Sequence, residues 1–427
     1  MSSYTNSHHF AMTTPLKTFR QIEGQRRADI CVVGAGYTGL SVSLHLAELG
    51  FNVVLLEGKR VGWGASGRSG GQLGYGMTPM QPDLMSKYGE EGARRFWEIS
   101  ASAVDLFHSL CLKHNIECDF KNGNMACAVS QSDLDYLNDH VEIIEGYGRK
   151  VYDSYDRVTT ENITGSDVYA GSIISENAGH LNPQKYAFGL TKAANNAGVA
   201  IFENSKVLEL NNSGSLEVMT ETGSVVAENV VLCCNGYLGK LNPTLANRIL
   251  PVDNYQIATE PLDDQTLGKL VNNGACVWDT HRSVHYFRVT PDHRLVMGCG
   301  IGIPNYPPKN LEKDCRKHLQ RIYPFLKNVK IDYIWGGILA GTVNQLPDVG
   351  RLAENIFYAQ GYSGHGVGLA PLVGKLMALA IHEGCDDFDF LAKIKHKNVP
   401  GGRFLRFPAV LSYRLMTNTL DKLAWRR

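Results

Sequence analysis

Residues 29–60, DICVVGAGYTGLSVSLHLAELGFNVVLLEGKR, constrain this chain more than any other stretch. Ile30 to Val33 is a short apolar run, as a strand buried on both faces requires. Gly34, Gly36 and Gly39 follow at GxGxxG spacing. The first glycine makes the tight turn. The second lets backbone approach a pyrophosphate, and the third lets the following helix pack closely on the strand. That helix, Tyr37 to Leu49, aims its free N–H groups at an anion, and Gly50 ends it. Phe51 to Leu56 is the second strand. Glu57 stands at its end, 18 residues after Gly39, where a carboxylate accepts both hydroxyls of an adenosine ribose. Strand, glycines, helix, strand and acid in one register predict a dinucleotide site.

The remaining composition narrows the class. A chain of 427 residues predicts two or three domains. Hydrophobic content of 44%, charged content of 20% and zero net charge describe an ordinary globular protein and give no footprint for nucleic acid. No apolar run approaches the ~20 residues of a membrane span. The N-terminal stretch MSSYTNSHHFAMTTPLKTFRQIEGQRRAD has no apolar signal region, so a cytoplasmic location is expected. The ten cysteines form no CxxC pair and are expected to be reduced, buried thiols. Cys233 and Cys234 adjoin in an apolar strand, VVLCCNG, and read as packed strand residues.

Residues 61–76, VGWGASGRSGGQLGYG, hold seven glycines and cannot make a stable helix or strand. Such a loop lets backbone lie against a flat ligand, and Arg68 adds a donor for a phosphate or carboxylate. Residues 87–114 and 131–147 read as helices, with a strand from Gly123 to Val129 between them. Asn182 caps a helix that begins at Pro183. Val225 to Cys234 is a strand running into NGY. Residues 250–300 are strand-rich, and VHYFRVTPDHRLVMGCG is a hairpin turning at Pro291–Asp292. Alternation places Tyr286, Arg288 and Thr290 on one face of it.

A second strand, glycine turn and helix lies in residues 355–384, NIFYAQGYSGHGVGLAPLVGKLMALAIHEG. A nicotinamide fold does not need it. A flavin does, because its N1–C2=O edge becomes anionic on reduction and a helix N-terminus stabilises that charge. The two ends of the chain are therefore expected to build one site. His365 lies in this turn, where it touches substrate or flavin or simply bonds the turn.

GAGYTG with Glu57, GASGRSGGQ and GYSGHGVG together resemble the D-amino-acid-oxidase and sarcosine-oxidase group of FAD amine oxidoreductases, over about residues 28–408. ASGRSGGQ, GHLNP, YFRVTPDHRL and PGGRFLR are similar to the branch of bacterial gamma-glutamylputrescine oxidases. The resemblance implies an α/β fold, with a Rossmann-like FAD-binding domain from discontinuous segments and a mixed-sheet α+β substrate domain. The expected FAD-binding segments are 28–117, 180–238 and 345–395. The expected substrate segments are 118–179 and 239–344, with an N-terminal arm 1–27 and a C-terminal tail 396–427.

The implied reaction is FAD-dependent oxidation of a primary amine, such as gamma-glutamylputrescine, to an aldehyde with release of ammonia and hydrogen peroxide. Its partners are the amine and oxygen. A quinone-linked dehydrogenase and a non-catalytic flavin-binding subunit are the alternatives. Expected cofactor contacts are Gly34, Ala35, Gly36, Gly39, Glu57, Gly58, Lys59, Arg60, Ala65, Ser66, Gly67, Arg68, Gly70, Gly71, Gln72, Val207, Gly361, Gly364, His365, Gly366 and Val367. His365, Tyr286 and Trp335 are the expected catalytic residues. Arg288, Tyr255 and Gln72 are the expected substrate contacts, Arg68 is a second choice for a carboxylate, and no metal ligand is expected. Some relatives join the flavin to a cysteine before a threonine-to-proline stretch. Here that stretch is WGGILAGTVNQLPDVG, with no cysteine, so non-covalent FAD is implied. Those enzymes also carry a lysine soon after the GHG turn, linked to oxygen use. Here Gly368 stands near that place, and Lys375 lies further on.

Overall fold

The computed structural model describes residues 4–212, 215–282, 284–304, 306–400, 408 and 410–412. Two sheets organise it. In the first, Ile356–Gln360, Gly223–Leu232, Gly24–Val33, Val53–Leu56 and Ala200–Phe202 run parallel in that spatial order. Asp348–Ala353 closes one edge antiparallel, and Leu216–Met219 and Glu209–Asn211 branch from the long strand Gly223–Leu232.

Alternation along these strands makes two cores. Ile30, Val32, Val53 and Leu55 join the helices Tyr37–Glu48, Gln81–His114, Pro183–Asn196 and Gly366–His382 on one face. Cys31, Val33, Val54 and Leu56 face Leu216, Val218 and Leu245 on the other. A strand apolar on every position is what burial on both faces demands. The register aligns Phe202, Leu56, Val33, Leu232 and Tyr358 across the sheet. The turns after these residues therefore emerge together at the carboxyl edge, where open parallel sheets bind ligands.

The second sheet has nine strands: Ile331–Thr342, Ile249–Thr259, Leu295–Gly302, Tyr286–Val289, Cys276–Asp279, Lys121–Ala128, Gly171–His180 and Gln72–Leu73 in order, with Asp153–Asp156 beside Gly171–His180. It is mixed, since Cys276–Asp279 pairs parallel with Lys121–Ala128. Met125, Val277, Phe287 and Met297 point into a core closed by Leu319 and Ile322 of the helix Leu311–Ile322. The opposite face carries Asn124, Trp278 and Tyr286 and looks toward the first sheet's carboxyl edge.

Several elements depart from the sequence reading. Gln72–Leu73, inside the stretch expected to build only the cofactor domain, pairs antiparallel with Gly179 and His180 of the second sheet. The first strand begins at Gly24 rather than at Ile30, because Gly223–Leu232 offers a partner along its whole length. The helix expected over 87–114 extends back to Gln81 across a kink at Gly89, whose φ is 74°. Cys299 and Cys315, expected as thiols, form a disulfide. The strand Leu295–Gly302 and the helix Leu311–Ile322 pack together, and the connection between them returns one cysteine onto the other. The other eight cysteines are free. No single helix among the described residues is long and apolar enough to cross a membrane. Of the expected C-terminal tail 396–427, residues 401–407, 409 and 413–427 lie outside the described residues, and so does all of PGGRFLR except Pro400.

The N-terminal arm is tied to the body. Tyr4 donates to the Val61 carbonyl at 3.0 Å, His8 meets Asp292 at 3.0 Å, and Ile22 N–H donates to Ser205 at 3.0 Å. Buried histidines recur. His140 accepts from Gln81 N–H at 3.1 Å, and burial pushes its imidazole down to about 4. His180 lies 3.1 Å from the Gly274 carbonyl, and burial, then the Arg288 charge, push it down to about 3. Burial and Arg288 likewise hold His9 well below its ordinary range. An unfolded histidine takes a proton near pH 6.5, whereas these stay neutral in the fold. Their contribution is complete above that value and is lost as pH falls toward the folded values. Each is expected to cost roughly 1 kcal/mol of stability per pH unit below 6.5. Thermal melts should therefore fall by several degrees between pH 7 and 5, and a flat profile would contradict the neutral assignments.

Candidate active site

One cavity of about 1140 Å³ runs along the carboxyl edge of the first sheet and under the open face of the second. This exceeds the few hundred to about 1,000 Å³ of ordinary ligand pockets. At one end lies Glu57. Its Oε2 accepts from Ala35 N–H at 2.8 Å and its Oε1 from Lys59 N–H at 2.7 Å. Burial pushes the carboxyl up to about 6, offset in part by those two N–H groups, so it is ionised at neutral pH. Two of its lone-pair directions remain for a ribose diol. Gly58, Lys59, Lys206 and Val207 complete this end.

The glycine turn comes next. Gly34 has φ 103°, and a Cβ there would sit 2.9 Å from the Cys233 carbonyl oxygen. A Cβ on Gly39 would fall 1.8 Å from the Gly34 carbonyl oxygen, so only glycine allows the helix this close to the strand. The helix Tyr37–Glu48 starts without a side-chain cap, and Tyr37 N–H donates to Ser66 Oγ at 2.9 Å. The helix Gly366–His382 also starts uncapped, with Gly366 and Val367 on the cavity wall. Arg68 lines the space between. Its Nε and Nη1 donate to the carbonyls of Trp63 and Gly336, while Nη2 is buried with no protein partner among the described residues. Two open helix N-termini, a glycine cradle, an acid for a ribose and an orphaned guanidinium donor along one cavity fit FAD.

The far end is built from both sheets. Tyr286 lies against Gly70 and Gly298 and donates to Asn254 Oδ1. Burial raises its phenol above the ordinary range. His365 Nδ1 lies 3.1 Å from Thr78 Oγ1, and that hydroxyl donates to the Ser363 carbonyl at 3.0 Å. The hydroxyl has one hydrogen and has given it away, so His365 Nδ1 must be the donor. Its Nε2 is left with a bare lone pair. Burial pushes this imidazole down to about 4, so it is neutral at working pH. Trp278, Met77, Met80 and Arg282 complete the wall.

Of the residues read from the sequence, Gly34, Gly36, Glu57, Gly58, Lys59, Ala65, Ser66, Arg68, Gly70, Gly71, Gln72, Val207, Gly364, His365, Gly366, Val367 and Tyr286 line the cavity. The others stand behind it. Ala35 serves Glu57, and Gly39 and Gly67 allow close backbone packing. Gly361 has φ 75°, and its N–H donates to Asn235. Arg60 turns away to pair with buried Glu203 at 2.7 Å. Trp335 and Gln256 both donate to the Arg68 carbonyl, at 3.0 and 2.6 Å. Arg288 is buried and donates to the Gly70 carbonyl at 2.9 Å. Tyr255 donates to Asp253 and fills the space against Gly302 and Gly336. Trp335, Arg288 and Tyr255 thus brace the wall from outside rather than face the cavity. Thr78, Trp278, Arg282 and Tyr362 line it without having been singled out. Only Tyr362 carried a signal, inside the GYSGHG turn.

The sequence model of the DAO family, described as FAD dependent oxidoreductase, matches residues 29–380. The chain is 36% identical over 409 residues to the gamma-glutamylputrescine oxidoreductase of Escherichia coli K12, covering 96% of each. Among solved structures it superposes on glycine oxidase from Geobacillus kaustophilus with a TM-score of 0.74 at 20% identity, covering 87% of this chain and 100% of that one. It superposes on L-proline dehydrogenase from P. horikoshii with a TM-score of 0.72 at 20% identity, covering 86% and 96%. At these identities the structural likenesses carry the fold alone.

Glu57→Ala removes the acceptor of two backbone N–H groups and of the ribose. Losing a charge-assisted bond costs roughly 1.5–3 kcal/mol, so FAD affinity should fall about 10- to 100-fold in a fluorescence titration of the apoprotein. An unchanged dissociation constant would contradict the assignment. Cys233 and Cys234 line the cavity beside the Gly34 turn, and burial pushes the Cys234 thiol up to about 12, leaving no ready thiolate. Acid precipitation should therefore release the flavin into the supernatant. Flavin retained on the precipitated chain would show a covalent link.

Proposed function

The chain belongs to the family of FAD-dependent oxidoreductases, its relatives oxidise amines, and from that premise we propose that it oxidises the terminal primary amine of gamma-glutamylputrescine or a related gamma-glutamyl amine. FAD held by the Gly34 turn, Glu57 and the two open helix N-termini would supply a two-electron acceptor for the carbon bearing the amine; with oxygen as the final acceptor and water as co-reactant, the products would be hydrogen peroxide, ammonia and the aldehyde.

One observation carries the choice of substrate class. Among the described residues lining the cavity, Glu57 is the only carboxylate, and it belongs to the nucleotide end. A free diamine brings a second ammonium and would find no acid to receive it. A gamma-glutamyl amine masks that nitrogen as an amide and ends in a head with its own carboxylate. The apolar and aromatic wall of Tyr286, Trp278, Met77 and Met80 suits the chain between.

The protonation of the reacting amine follows from His365. A terminal alkylamine resembles a lysine side chain, with a pKa of about 10.4. His365 is held near 4 by burial. Proton transfer from one to the other is uphill by about 8–9 kcal/mol at 1.36 kcal/mol per unit. His365 is therefore a poor base for the ammonium. Its Nε2 lone pair instead accepts a hydrogen bond from an amine that is already neutral, orienting the nitrogen. Burial among aromatic groups favours that neutral form.

Anaerobic stopped-flow reduction of the flavin should rise between about pH 7 and 10 with one apparent pKa that belongs to the substrate. A less basic fluorinated amine should reach its plateau at lower pH. His365→Asn should slow reduction or weaken binding without moving the apparent pKa. A shift of a unit or more in that variant would instead make His365 the base. Failure of every gamma-glutamyl amine to bleach the flavin, with free diamines or amino acids succeeding, would sink the substrate assignment.

A further inference from the structure

We propose that His140 and Ser175 form the subsite that takes the amide carbonyl of the gamma-glutamyl amine, His140 through its Nε2–H and Ser175 through its hydroxyl. This rests on the gamma-glutamyl reading above. The subsite lies on the cavity wall where the helix Gln131–Gly146 packs over Ala126 and Ile173 of the second sheet.

Two hydrogen-bonding groups there have no protein partner among the described residues. Ser175 stands across from Asn124 in the ladder between Lys121–Ala128 and Gly171–His180, so both side chains share the face that looks into the cavity. Asn124 is engaged: its Nδ2 donates to the Leu73 carbonyl at 3.0 Å, and its Oδ1 accepts from Trp278 Nε1 at 2.9 Å. Ser175 is 1% exposed, and its hydroxyl is unpartnered. His140 comes from the helix above. Its Nδ1 accepts from Gln81 N–H at 3.1 Å, which leaves the hydrogen of the neutral ring on Nε2. That N–H meets no acceptor among the described residues, and the ring lines the cavity. Tyr152 joins the two groups. Its ring centroid is 5.7 Å from that of His140, and it directly precedes Asp153, which pairs with Ile174 next to Ser175. A buried donor without an acceptor is costly, so two of them on one wall point to a ligand that brings an acceptor.

The surroundings choose which acceptor. Ala126, Ile173, Met80 and Tyr152 pack together here and carry no charge. Burial pushes His140 down to about 4, so it is neutral too. A carboxylate would lose its hydration with no cation among these groups to offset the loss, and an ammonium would bring only donors. An amide carbonyl brings two lone pairs and no charge. The spacing agrees. Thr78, which meets His365, and Gln81, which meets His140, are three residues apart in the chain and so at most about 10–11 Å apart. In extended gamma-glutamylputrescine the terminal nitrogen and the amide oxygen are about 8 Å apart at ordinary bond lengths. With its amine at His365, the substrate has its carbonyl within reach of the subsite.

The test uses the flavin-loaded full chain and two amines of equal length, N-acetylputrescine and heptylamine, which carry the amide and its hydrocarbon counterpart. Preference for the first, as the ratio of the two kcat/KM values, should fall about 3- to 10-fold in Ser175→Ala and in His140→Phe, mainly through KM. His140→Gln keeps an acceptor for Gln81 and a donor for the carbonyl, and should retain most of the preference. An unchanged ratio in either of the first two variants, or equal losses on both amines, would overturn the proposal. If His140→Phe fails to fold, Ser175→Ala decides, since it removes only an unpartnered hydroxyl. Calorimetric binding of gamma-glutamylbutylamide, which lacks the oxidisable amine, gives a readout besides activity. It should bind wild type and lose about 3- to 10-fold in affinity in Ser175→Ala. No binding to wild type, or equal binding to both, would overturn the proposal. If wild type oxidised no gamma-glutamyl amine, the substrate reading would fall, and this binding would still decide the subsite.

Discussion

The site depends on two helices being allowed to touch. A Cβ on Gly374 would lie 2.7 Å from the Thr38 carbonyl oxygen and 2.8 Å from Ser41 Cβ, so the helices Tyr37–Glu48 and Gly366–His382 meet with no side chain between them. Ser41 reinforces the contact by donating to the Pro371 carbonyl at 2.6 Å, an acceptor on the neighbouring helix. Near their N-termini, the Thr38 and Tyr362 hydroxyls are 2.6 Å apart. Two macrodipoles with like ends together repel unless something negative lies before them. Both helices start without a side-chain cap, and the negative parts of bound FAD would supply that charge. The close packing thus fixes the distance between the two sites at which the cofactor is held.

The glycine-rich loop after Glu57 is the second structural necessity, and its order comes from outside itself. Its successive carbonyls at Arg68, Ser69 and Gly70 each receive a buried donor. Trp335 and Gln256 serve the first, His9 lies 3.0 Å from the second, and Arg288 serves the third. A loop this rich in glycine loses much backbone freedom on folding. Buried hydrogen bonds from the second sheet and the N-terminal arm offset that cost. The arm therefore braces the cavity wall from behind, with the His9 ring edge-on to Trp335 at 4.9 Å.

Burial sets the chemistry more than any single catalytic group does. His365 is kept neutral by its surroundings, and its proton is placed on Nδ1 by Thr78. This end of the cavity thus has a hydrogen-bond acceptor, and among the described residues lining it there is no acid that would trap an ammonium. In the proposed reaction such a site would take the amine already neutral and leave the proton to solvent. Asp279 shows the opposite balance. Burial alone would raise its carboxyl, but His285 and His281, each bonded to its Oδ2, hold it far below the ordinary range, so it stays ionised.

The cofactor half of the site was legible because its signals are local. GxGxxG, an acid at the next strand's end and a glycine turn before a helix each fall within a few residues, and steric or electrostatic necessity ties each to its role. Tyr286 and Arg288 both meet Gly70 from one strand face, as alternation implies, since alternation is local too. Which of them meets a ligand was not legible. The 65–72 loop covers Arg288 and leaves Tyr286 open, and that depends on strand register and on a segment more than 200 residues away. The same holds for Trp335 and Tyr255, which are aromatic and close by but point at loop backbone, and for the Cys299–Cys315 bridge, formed when a helix returns onto its strand. The sequence by itself determined that this chain binds a flavin dinucleotide, because backbone sterics and helix dipoles act over short spacings. Only the tertiary structure decided which side chains line the substrate end, because that depends on how two sheets face each other across the cofactor.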